Sequence, residues 1–168
     1  QQRYQRLVEQ FNRQHYGHKR LILATGSDVT TRVKQSDIVN IDIAELKDLK
    51  ASAICGEQGW LGFMVAEDEY AEDYLTDMAL ATRYAPGSAV GKGCHWRLND
   101  QGEPGLNYPG QRYQRGGELE ARYALVQAKR LNDTDLYQQL RSIHKLRFTG
   151  SDNLAIDSMN YCKAGALA

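Results

Sequence analysis

The sequence has no run of eighteen apolar residues, no C-x-x-C or H-x-x-x-H pair, and no complete phosphate-binding loop. The first absence removes a membrane-spanning helix, which needs about 20 consecutive apolar residues. The second removes the paired spacings from which tetrahedral zinc sites are usually built, so no metal is expected. The third is closest to being broken at Gly87-Ser88-Ala89-Val90-Gly91-Lys92-Gly93. A phosphate loop needs four residues between its glycines and a Ser or Thr after the lysine to hold magnesium; here there are three residues and a glycine, which leaves a turn. H-E-x-x-H, nucleophile-elbow, dinucleotide and kinase elements are missing too, and no cofactor is expected.

Cysteine is scarce as well. Cys55, Cys94 and Cys162 stand far apart. In an oxidising compartment they would give one bridge and a spare thiol, in a reducing one three structural thiols, so localisation stays open. No positively charged stretch leading into a short apolar block opens the chain. It begins on Gln1, already inside a helical pattern, and reads as a processed or truncated chain.

What is present is an ordinary globular composition. The 168 residues are 42 % hydrophobic and 25 % charged, enough for a single soluble domain with its own core. Net charge is zero, which argues against a general polyanion binder, but its distribution is uneven. Residues 1–50 sum to +3, residues 51–104 to −6 and residues 105–168 to +3. Either the ends neutralise the centre within the fold, or the surface is dipolar and steers a charged partner or a second copy.

Tyr4, Leu7, Val8 and Phe11 follow the i, i+3, i+4, i+7 rule and predict a helix over residues 2–14. From Leu21 the pattern turns to strands: 21–25 and 29–33 as a hairpin about Gly26-Ser27-Asp28, 37–43 alternating, then 51–55 and 60–65 as a second hairpin. Residues 67–84 predict an acidic helix ended by Pro86-Gly87. Residues 87–117, holding all three prolines or bordering them, predict a long Gly/Pro-rich loop around one possible strand at 94–98. Residues 118–131 and 135–147 then predict an αα-hairpin, with Asp135 as an N-cap, and 154–162 a last short helix. The class is α+β: an N-terminal helix, an antiparallel sheet and a helical C-terminal half, as one domain over 1–168.

Candidate chemistry is thin. Cys94 and His95 could form the centre of a hydrolase or transferase, since Lys92, His95 and Arg97 would favour a thiolate at Cys94. Successive strand residues point to opposite faces, so His95 is poorly placed to serve its neighbour. Glu69, Asp73 and Asp77 stack on one face of the acidic helix and offer a binding surface, as do the loop residues Trp96, Tyr108, Arg112, Tyr113 and Arg115. Arginines interleaved with tyrosines also suit single-stranded nucleic acid, although the compensating acid is large. Whether the chain is an enzyme is left open. The reading favoured by these residues is a non-catalytic interaction or assembly domain with a protein partner or self-association, with a Cys/His enzyme and a nucleic-acid-binding domain as the alternatives.

Overall fold

A computed structural model of the chain describes residues 2–26, 35–85, 89–99 and 101–164. The apolar stripe of the first segment forms helix α1 (Gln2–Arg13), which buries Phe11. Strands β1 (Leu21–Thr25) and β2 (Ile38–Asp42) pair in parallel, Leu21 opposite Ile38 and Thr25 opposite Asp42. Phe11, Leu23 and Ile38 close into a small core with Tyr4, Val8 and Leu21 packed around it.

The rest of the chain builds a second, larger core. Its elements are α2 (Ala51–Cys55), β3 (Trp60–Gly62), β4 (Glu69–Tyr70), α3 (Tyr74–Thr82), β5 (Ala89–Gly91), β6 (His95–Leu98) and β7 (Pro104–Asn107). They are followed by β8 (Glu118–Glu120), β9 (Ala124–Gln127), α4 (Leu136–Arg141), β10 (Arg147–Thr149), β11 (Leu154–Ala155) and β12 (Tyr161–Lys163). One four-stranded sheet runs β11-β5-β9-β3, another runs β4-β12-β6-β7, and β8 pairs with β10. The β11–β5 and β12–β6 pairs are parallel, the remaining pairs of these sheets antiparallel. Met78, Val90, Leu119, Val126 and Tyr70 lie at the centre of this core.

The expected α+β layout is corrected here. Among the described residues the chain mixes four α-helices with several small sheets, and its C-terminal half is not predominantly helical. Residues 118–131, rich in good helix formers, run as β8, a single 3₁₀ turn, β9 and another 3₁₀ turn. The reason is double-sided burial. β9 lies between β3 and β5, with Ala124 and Val126 sealed on one face and Gln127 buried and Leu125 half-buried on the other, so ladder bonds and burial on both faces outweigh helix propensity. Only Leu136–Arg141 of the second expected helix forms, its N-cap Asp135 accepting from Gln138 N–H. The αα-hairpin is therefore absent, and residues 154–162 hold β11 and most of β12 instead of a helix.

Other segments exchange state for local reasons. Residues 51–55, expected as a strand, form α2, ended by Gly56 at φ 77°, whose N–H bonds back to Ser52. Such left-handed closure is easy for glycine. The acidic helix begins only at Tyr74, because Asp68 and Tyr70 are drawn into the core and Glu69–Tyr70 pairs with β12. The expected loop 87–117 carries β5, β6 and β7, and the longest irregular stretch among its described residues is 108–117. The expected strand 29–33 lies outside the described residues; among the described residues β1 pairs with β2.

Candidate functional site

Cys94 and His95 are both fully buried. His95 sits among tyrosines, with ring centroids 4.7 Å from Tyr123, 5.8 Å from Tyr161 and 6.0 Å from Tyr108. Among the described residues neither ring nitrogen has a hydrogen-bond partner. Burial pushes the ring's pKa down to about 4, with Lys163 adding to the effect against the opposite pull of Glu120, the Lys92 backbone and Asp68. His95 is therefore neutral at neutral pH. Cys55, Cys94 and Cys162 are all free thiols, and burial pushes the thiols of Cys55 and Cys162 up.

Beside His95 lies a closed ionic network. Asp68, entirely buried, takes the Arg122 guanidinium in a two-point contact, with Nε–H donating at 2.6 Å. The same carboxylate accepts from Tyr161 Oη at 2.5 Å and from the Ala164 N–H at 2.9 Å. Tyr70 Oη donates to the Arg122 carbonyl at 2.8 Å. Burial opposes the charge of Arg122, and Asp68 more than restores it. Burial and the nearby carboxylate push Tyr70 well up, and Tyr161 rises through burial, Tyr70 and Asp68, so both stay protonated. Next to this, Glu120 accepts from Lys163 at 2.6 Å and pairs with Arg147 at 3.2 Å. Each charged group already has a partner, which makes the network a tie between β4, β8, β12 and the 3₁₀ turn at 121–123.

The acidic and basic segments meet inside the molecule. Arg3 reaches Glu67 at 3.3 Å, Arg6 reaches Glu69 at 3.3 Å, and Arg13 also pairs with Glu69. His15 lies 3.0 Å from Asp73 and 3.4 Å from Glu72. Under this seam two buried amides fasten α1: Gln10 accepts from Tyr70 N–H at 2.8 Å and donates to Asp68 O, while Gln14 accepts from Leu75 N–H and donates to Ala71 O at 2.7 Å. Asp77 is elsewhere, sharing the buried Lys92 ammonium with Asp157 at 3.1 and 2.9 Å. Thus Glu69 and Asp73 stand on the seam, and Asp77 beneath a different surface.

That surface is a shallow cleft of about 400 Å³ with Tyr84 and Tyr113 at its sides and Leu154 and Ile156 among its lining. Arg115, also in its wall, donates to the Tyr84 carbonyl at 2.6 Å. Of the sequence-derived set, the fold brings Asp77, Tyr113 and Arg115 to this cleft and, elsewhere, Tyr108 beside His95. Trp96 and Leu98 project outward from β6, Tyr108 follows β7 with φ 50°, and Arg112 is exposed.

The larger concavity was not foreseen. A groove of about 880 Å³ runs between the small and the large core. Phe11 and Leu23 contribute one wall, and Leu46, Phe63, Tyr74 and Leu136 the other. It exists because α1 is fastened through Gln10 and Gln14 at one edge while the two apolar clusters do not merge. The half-buried Leu21, Trp60 and Leu61 line the same space. The sequence signal for it was the width of the α1 stripe, since Tyr4 and Leu7 stay only partly covered.

Comparison of the chain with protein-family models and with curated proteins finds no match.

Proposed function

We propose that the chain is a non-catalytic binding domain whose ligand site is the groove between its two cores. The groove carries this reading: its volume of about 880 Å³ lies within the range of about 300–1,000 Å³ typical of small-molecule sites, and its walls are mainly aliphatic and aromatic. Its shape is recessed, which suits a small apolar or amphipathic molecule better than a flat protein surface. The Cys94–His95 alternative has less support, because both residues are sealed and neither lines the groove or the cleft. The nucleic-acid alternative loses Arg3, Arg6 and Arg13 to Glu67 and Glu69, cations that phosphates would need.

The test is binding of a neutral apolar fluorophore to the chain and to Ala79→Phe, which places a ring in the groove from α3. Saturable binding that weakens at least tenfold in the variant, with circular dichroism unchanged, is the expected outcome. No saturable binding to the parent chain would remove the reading.

Exposed Trp96 and Leu98 beside the edge strand β7 favour a second, compatible reading, self-association through paired β7 edges. Sedimentation velocity of Trp96→Ser against the parent chain distinguishes it: a dimer that dissociates in the variant supports the reading, and a monomer in both ends it. No helix among the described residues is long and apolar enough to cross a membrane.

A further inference from the structure

Resting on the groove as ligand site, we infer that its occupant is a single-chain amphiphile with an anionic head, of the class of a medium- or long-chain carboxylate. The first ground is charge. The protein has 21 Asp and Glu side chains, yet none of those among the described residues lines the groove, whereas the consecutive residues His18, Lys19 and Arg20 do. A cationic ligand would find no counter-charge there, and an anion finds three potential donors where the chain enters β1.

The second ground is how these cations are held. Lys19 Nζ donates to the carbonyls of Gln14 at 2.8 Å and Tyr16 at 3.0 Å and stands 5.1 Å from the centre of the Phe11 ring. An ammonium has three protons, so one remains for a ligand oxygen. The backbone contacts fix its position in advance. Arg20 is exposed, with no ion pair to any described residue, and its planar fork matches a carboxylate in a two-point contact. The head would thus lie at residues 18–20 and the tail between Leu23, Phe63 and Leu136.

The third ground separates a single chain from a bilayer surface. Large exposed hydrophobic residues such as Leu80, Tyr84, Trp96 and Met159 are absent from the groove lining. Its apolar area is recessed, so a lone alkyl chain can enter where a membrane interface cannot reach.

The experiment measures dissociation constants of laurate and dodecyltrimethylammonium below their micelle concentrations, and of dodecanol below its solubility limit, by titration calorimetry on the full chain. Laurate is expected to bind at least tenfold more tightly than dodecanol, and the ammonium most weakly. Arg20→Glu should bring the laurate-to-dodecanol ratio towards one, while Lys129→Glu, an equal charge change away from the groove, should preserve it. Lengthening the carboxylate from eight to twelve carbons should tighten binding about fourfold per methylene. Equal binding of laurate and dodecanol, or a preference for the ammonium, overturns the anionic head and leaves the groove reading standing. Failure of all three to bind overturns the groove reading itself. Binding to phosphatidylglycerol vesicles without binding to monomeric laurate overturns the single-chain ligand.

Discussion

At His95, burial and the nearby Lys163 act in the same direction, and both favour the neutral ring. The folded pKa of about 4 lies below the ordinary 6.5, so the unfolded chain binds the extra proton first as pH falls. The stabilisation is complete above about pH 6.5 and is withdrawn down to about pH 4, by about 3 kcal/mol at about 1.4 kcal/mol per unit. Urea unfolding at pH 7, 5.5 and 4 should show this loss in the parent chain and a flatter dependence in His95→Phe. Matching profiles would mean that the ring gains its proton as easily folded as unfolded. The same sealing sets thiol reactivity. Cys55 and Cys162 are half-buried and Cys94 is closed, so iodoacetamide on the native protein should label the first two well before Cys94. Mass spectrometry of timed samples decides it, and early labelling of Cys94 would reopen the Cys/His alternative.

Among the elements, α1 depends on two amides more than on its many arginines. The Arg6, Arg13 and Glu69 side chains are each about half exposed, and such pairs contribute at most about 1 kcal/mol each. Gln14 is buried; its Oε1 accepts from the Leu75 N–H, and its two amide protons are shared among the carbonyls of Gln10, Tyr70 and Ala71. Gln14→Ala should therefore cost about 2–3 kcal/mol and raise hydrogen exchange in α1, whereas Arg6→Ala should cost under about 1 kcal/mol. Equal effects in the two variants would show that the ion pairs, not the amides, hold the helix. On the other side of the molecule Lys92 ties α3 to the segments that follow β5 and β11. Lys92→Met leaves Asp77 and Asp157 facing each other without a cation and should cost about 3–5 kcal/mol, a good part of which Asp157→Asn restores in the double variant. Thermal unfolding of the three variants measures the recovery; an additive loss in the double variant would contradict the bridge.

For the whole molecule, charge separation along the sequence becomes charge neutralisation in space. Residues 67–73 face α1, so the acidic centre and the basic N-terminus largely spend their charges on one another. A dipolar face built from Glu69 and Asp73 would instead need those carboxylates free. Because the seam is exposed, raising salt from 0.05 to 0.5 M should lower the melting temperature only slightly, by about 1–3 °C. A fall of more than about 8 °C would assign the seam a larger share of stability than exposed pairs can carry.

The sequence by itself determined helix α1, the neighbourhood of β2 and β3, the N-cap at Asp135 and the short supply of catalytic motifs, because each of these rests on local spacing or local chemistry. Only the tertiary structure decided that 118–131 alternates strands with 3₁₀ turns, since the ladder partners of β9 come from residues 60–62 and 89–91 and no local pattern announces them. It alone decided that Asp68 turns inward to Arg122, 54 residues away, and so delays α3. The groove is likewise a property of two cores that stop short of merging, and a gap between clusters leaves no mark on the periodicity of either one.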